Sequence, residues 1–245
     1  MPPYELSRHT RPARMGRHVR SRHDILVDTK LATTSLSEHF MKTRMSGGER
    51  RGAILDCAIR LFAGKGFRGT TTRELASAAG ITEPVLYQHF PTKRALYTAI
   101  IETKASEGHQ RIAAIFERYE ARRDDRALLA ELANGILDRY EHDPDYVRLL
   151  IFSALERHEL AGEFYERQLA HLYDVLARYL KARMKAGAFA RMDPNLAARV
   201  FLGMVNHHGL MRVLFKDDLV KASRKKFVDA MVRTFLLGMS GTEGT

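Results

Sequence analysis

From Glu49 onward, apolar residues recur at steps of three and four, and long alternating stretches are missing. Ile54, Ala58 and Phe62 lie at i, i+4 and i+8, with Leu55, Ile59 and Leu61 widening the stripe. This predicts a helix over 49–64, stopped by Gly64 and Gly66. Thr71 and Glu74 have the spacing of a reciprocal cap, in which a carboxylate folds back on the cap's own N–H. Leu75, Ala76 and Ala79 then form a short apolar stripe, and Gly80 ends it where a left-handed backbone is needed. Thr82 is placed to cap a second short helix, with Pro84 in a first turn that has no use for its missing N–H. Val85, Leu86 and Phe90 face inward, leaving Glu83, Tyr87, Gln88 and His89 outward or sideways. Phe67 reads as a plug beneath the pair.

The same period continues to the end. A long helix runs from Thr92 to about Arg118, and Arg122 to Arg126 form a charged loop. Leu128 to Tyr140 follows, broken at His142-Asp143-Pro144; then come Asp145 to His158 and Leu160 to Lys185, stopped by Gly187. Asp193-Pro194 opens a helix reaching Phe215, and the last runs from about Ala222 to Met239. The expected fold class is all-α, with nine helices. The divisions expected are a basic, unfolded extension over 1–48, bounded by Gly47-Gly48, a small head over 49–100, a helical bundle over 101–239 and a flexible tail over 240–245.

Two helices joined by a tight glycine turn make a helix-turn-helix, and on spacing alone a DNA-binding unit and an ordinary αα-corner both fit. The wider string GFRGTTTRELASAAGITEPVLYQHFPTKRALY resembles the N-terminal domain of the TetR family of transcriptional regulators. About fifty residues carry the likeness, from the helix ending LFAGKGF to Lys93 and Leu96. One departure is Glu83-Pro84, where many members have small or polar residues, so the operator sequence does not carry over. The resemblance implies that Thr82, Glu83, Pro84, Val85 and Gln88 lie near base edges. It places Tyr87 and His89 on phosphates, and Lys93 with Thr71, Thr72 and Arg73 on the backbone opposite. It also implies a homodimer on a palindromic operator, most often a repressor released by a small molecule; a cytoplasmic location is expected from the lack of a membrane-span run and of a signal-peptide core. The alternatives are a non-switching architectural DNA binder and a helical partner-binding protein with a structural helix-turn-helix.

Composition sharpens this picture little. Across 245 residues, 40 Lys+Arg against 29 Asp+Glu give a net charge of +11, which favours a polyanionic partner. Arg8, Arg11, Arg14, Arg17, Arg20 and Arg22 crowd the first residues. Three readings stand for that stretch: a silent extension, an upstream start ahead of Met41 or Met45, or a basic arm tracking DNA. The single Cys57, among apolar neighbours, excludes an intramolecular disulfide and points to a buried thiol. No run approaches the length of a membrane span, and there is no signal-peptide core. Motifs of hydrolases, metalloproteases and phosphate loops are absent, so no enzyme is expected. No cofactor is expected. Metal is not expected either, since His207 and His208 point about 100° apart on a helix.

In the bundle, Phe201, Met204, Val205, His208, Met211 and Phe215 stripe one helix, while Phe227, Met231, Phe235 and Gly238 stripe the last. Each stripe either faces its own core or meets a second copy. The resemblance implies the second, with Phe201, Val205, His208, Phe215, Phe227, Met231 and Phe235 as the dimer interface. Phe116, Tyr119, Phe152, Phe164, Tyr173 and Met204 are the candidates to line a pocket for a mostly apolar effector, because aromatic and Met side chains suit an adaptable cavity.

Overall fold

The computed structural model describes residues 46–156, 162, 169–217 and 221–240. Among them are nine helices and no strand: α1 (Gly47–Lys65), α2 (Thr72–Ala78), α3 (Glu83–His89), α4 (Lys93–Tyr119), α5 (Asp125–His142), α6 (Pro144–Leu155), α7 (Ala170–Lys185), α8 (Pro194–Leu214) and α9 (Arg224–Met239). The basic extension up to residue 45, Phe164, His158 and the tail after Ser240 lie outside the described residues. None of the helices described is long and apolar enough to cross a membrane.

Caps set most boundaries. Ser46 and Glu49 form a reciprocal capping box, which draws Gly47 and Gly48 into the first turn of α1 instead of leaving them as a linker. The expected loop over 122–126 is shorter in the structure. Asp124 accepts the Ala127 N–H at 2.9 Å and starts α5 at Asp125, three residues earlier than the apolar pattern indicates. Asp193 and Ser223 cap α8 and α9 in the same way.

Two apolar cores form. The first gathers Ile54, Ala58 and Phe62 of α1, Leu75 and Ala76 of α2, Leu86 and Phe90 around α3, and Leu96, Tyr97 and Ile100 of α4. It also takes in Tyr146 and Leu149 of α6. The rings of Phe62 and Phe67 both meet Tyr97, with centroids 5.3 and 5.5 Å apart. Cys57 is buried in this core, as expected, and burial raises its thiol pKa. The second core joins α5, α7, α8 and α9 with Phe116 of α4, and the Phe201 and Phe235 rings meet edge to face at 5.2 Å. At its edge, Arg183 grips the Asp125 carboxylate through two bonds of 2.7 and 2.8 Å.

That second core corrects the expected dimer surface. Phe201, Val205, Met231 and Phe235 are all buried among their own protomer's helices. Phe227 is half-buried, with its ring stacked on His208 at 3.5 Å, and Phe215 lies exposed beyond the end of α8. The uncovered apolar positions lie on the opposite face: Leu196 and Val200 of α8, 58% and 55% exposed, and Leu237 of α9, 63% exposed.

Candidate nucleic-acid interface and cavity

Thr71 caps α2 through Glu74, whose carboxylate accepts the Thr71 N–H at 2.9 Å, while the Glu74 N–H returns to the Thr71 hydroxyl at 3.2 Å. Gly80 follows with φ 65°, a conformation that favours glycine, and the Ile81 N–H closes back on the Ala76 carbonyl at 3.0 Å. Thr82 stands at the N-cap of α3, but its hydroxyl makes no capping bond. Leu86 and Phe90 are buried, so α3 is anchored on one side. On the other side Thr82, Pro84, Tyr87 and Gln88 are exposed, with Val85 and His89 half-buried between. The helix therefore presents a short polar and aromatic ridge.

Not every residue assigned to DNA is free for it. The Glu83 carboxylate accepts the Thr72 hydroxyl at 2.9 Å and lies 4.0 Å from Arg73, so it braces α2 against α3. Lys93 turns inward. Its ammonium donates to the carbonyls of Phe67 and Thr70, each at 2.8 Å, and sits 4.4 Å from the centre of the Phe67 ring. Burial lowers its pKa. Two of its three donors thus hold the turn that leads into α2. The His89 carbonyl is likewise taken, by Arg51 at 3.2 Å. Arg73, 90% exposed, is the basic side chain of this group most open to solvent.

A cavity of about 590 Å³ opens between α4, α5, α6, α7 and α8. Of the six residues expected to line it, Phe164 lies outside the described residues, and among the other five Tyr173 lines it. Phe116 is buried in the bundle core, Tyr119 and Met204 pack against that core, and Phe152 is 37% exposed. The walls are mostly aliphatic, from Ile112 and Ile115 on α4, Ile136 on α5, Leu150 and Ile151 on α6 and Leu172 on α7. Polar groups enter from His109, Arg139, Tyr140 and Asn206. The Tyr140 hydroxyl donates to Asn206 Oδ1 at 3.2 Å, and the Asn206 amide donates to the Leu202 carbonyl at 2.7 Å. The pattern held a clue to this site: Arg139 lies seven residues after Leu132 and three after Ile136, a charge set into an apolar stripe.

Residues 54–100 match the family described as bacterial regulatory proteins, tetR family, and residues 127–238 match the AefR-like transcriptional repressor, C-terminal domain. The HTH-type transcriptional regulator AcrR of Shigella flexneri is 30% identical over 209 residues, covering 80% of this chain and 94% of that protein. The chain belongs to the TetR family. It is a helix-turn-helix transcriptional regulator by that membership. Among solved structures, AibR in complex with isovaleryl coenzyme A and operator DNA aligns with TM-score 0.59 and 22% identity, over 76% of this chain and 97% of that one. The fatty acid degradation regulator FadR from Bacillus halodurans aligns with TM-score 0.61 and 21% identity, over 81% and 98%. Both share the fold of this TetR-family chain.

Two helices of this TetR-family fold touch both the head and the cavity. α4 places Leu96 and Ile100 in the first core and Ile112 and Ile115 in the cavity wall. α6 does the same with Tyr146 and Leu149 on one face and Leu150, Ile151 and Ala154 facing the cavity. Just past its end, Glu156 accepts the Phe67 N–H at 3.2 Å. Sequence reasoning missed Glu156, because the bond spans 89 positions and leaves no local pattern.

Proposed function

We propose that the chain is a homodimeric, ligand-responsive regulator that releases a palindromic operator, as a repressor, when a small molecule fills the cavity. The observation that carries this reading is the shared use of α4 and α6. A ligand wedged against Ile112, Ile115, Leu150 and Ile151 pushes on the two helices that also hold the head. AibR has been solved in complex with isovaleryl coenzyme A and operator DNA, so a protein of this fold can take both a small molecule and DNA. Coupling between such sites is typically ~1–3 kcal/mol.

The dimer follows from the uncovered face. Leu196 and Val200 of α8 and Leu237 of α9 are exposed apolar side chains that self-pairing across a two-fold axis removes from water. Two heads on that axis read half-sites one helical turn apart, ~34 Å. Thr82, Pro84, Tyr87 and Gln88, with Val85 and His89 beside them, meet base edges and flanking phosphates. Arg73, Thr71 and Thr72 approach the backbone from α2.

The test is a mobility shift with the DNA upstream of the chain's own coding sequence, at two salt concentrations and with competitor DNA. Retention of the specific band against competitor is expected. Equal loss to any duplex makes the protein an architectural binder, and no shift at all removes the DNA reading. Arg73→Ala is expected to lower the salt slope by about one unit.

A further inference from the structure

We propose that the cavity is built for an amphipathic anion, an aliphatic carboxylate whose chain lies among Ile112, Ile115, Ile136 and Leu172 and whose head is received by Arg139 and His109. This rests on the reading of the cavity as the effector site.

Arg139 projects from α5 into a mostly aliphatic space, and no carboxylate among the described residues pairs with it. Its guanidinium lies over the buried Tyr146 ring, 5.6 Å from the ring centre. The acids close enough to feel it, Glu107 and Asp143, are both engaged by Lys104, at 3.8 and 2.8 Å. Arg111, exposed at the rim, adds a second positive charge. Counting Glu107, Asp143, Lys104, Arg111 and Arg139, this end of the cavity carries one net positive charge.

The neutral polar groups show the same asymmetry. Tyr140 and Asn206 satisfy each other, and the remaining amide hydrogen-bonds to the backbone. His109 does not: its Nε2 is buried without a hydrogen-bond partner, and its ring lies 4.1 Å from that of His171. Among the described residues, this end of the cavity therefore offers a guanidinium with no carboxylate partner and a buried imidazole nitrogen with no hydrogen bond. A half-buried charge that no carboxylate among the described residues neutralises is costly, so a ligand that supplies two acceptor oxygens and a negative charge gains what a neutral one does not. A cationic head meets repulsion from Arg139 and Arg111. The aliphatic walls then favour a hydrocarbon chain over a compact polar anion.

The experiment uses the full chain and three probes with the same chain length, dodecanoate, dodecanol and dodecylammonium, each below its micelle concentration. Calorimetric titration is expected to show dodecanoate binding at least tenfold more tightly than dodecanol, and dodecylammonium weakest. Arg139→Met is expected to bring dodecanoate down to the dodecanol level and to leave dodecanol unchanged. Should that variant fail to fold, Arg139→Lys with the wild-type acid-to-alcohol ratio still decides the matter. Equal affinity for acid and alcohol, or no binding of any probe, overturns the proposal. Operator mobility shifts with the same probes separate it from the underlying reading. Release by dodecanol as readily as by dodecanoate keeps the effector site and removes the anion preference. Dodecanoate binding without release keeps the anion site and removes the switch.

Discussion

At the scale of single residues, Glu74 and Lys93 show how the head is held. The Glu74 carboxylate takes hydrogen bonds from Lys65 and from Thr71, and these hold its pKa at about 2, below its ordinary 4.5. A depressed carboxylate stabilises the fold above its unfolded pKa and loses that contribution as pH falls through the folded value. The stability gap between wild type and Glu74→Gln is therefore expected to be full at pH 6 and to close between about pH 4.5 and 2, read by thermal melts across that range. Lys93 was legible as a feature of the LYQHF-x-x-K segment, but its direction was not. Lys93→Met removes the two hydrogen bonds that its ammonium gives to the Phe67 and Thr70 carbonyls and is expected to cost ~1–3 kcal/mol of stability. Its operator binding, measured where the variant is fully folded, should keep the wild-type salt slope. A slope lower by one unit would return Lys93 to the phosphates.

Among the elements, α2 and α3 were written into local chemistry. The Thr71–Glu74 box, the Gly80 turn and Pro84 act within a few residues of one another, so the chain order displays them. α6 was legible only as a helix. Its two faces serve different cores, and apolar residues on both faces look alike in a stripe. Glu156→Ala removes the acceptor of the part-buried Phe67 N–H, at ~1 kcal/mol or slightly more. If α6 transmits cavity filling to the head, dodecanoate should still bind this variant with unchanged affinity while releasing operator less completely, as fluorescence anisotropy of labelled DNA would show. Release identical to wild type would leave α4 as the only route. Gly66 adjoins the same contact: its φ is 71°, where an L side chain is strained, and an added Cβ would push the Glu156 carboxylate aside from the Phe67 N–H.

For the whole molecule, the decisive surface is the outer face of α8 and α9. Both helices were expected to pair with a second copy, and the stripe chosen for that role packs inward. Aromatic and Met residues mark burial, and burial alone does not say which neighbour supplies the cover. Leu196→Glu with Leu237→Glu places charges on the exposed face without touching Phe201 or Phe235. This double variant is expected to sediment as a folded monomer and to lose operator affinity by a hundredfold or more, since one head retains only half the contacts. A dimer that survives both charges would place the interface elsewhere.

What the sequence determined by itself is whatever short-range physics decides: the nine helices among the described residues, the helix-turn-helix, its Thr71–Glu74 cap and its resemblance to the TetR family. These depend on spacings of a few residues, which the chain carries in its order. The tertiary structure alone decided which side of α8 is covered, that Lys93 and Glu83 bind inward, and that Arg139 and His109 face an aliphatic cavity. Each of these depends on groups brought together from distant positions, where the same periodic pattern is compatible with more than one neighbour.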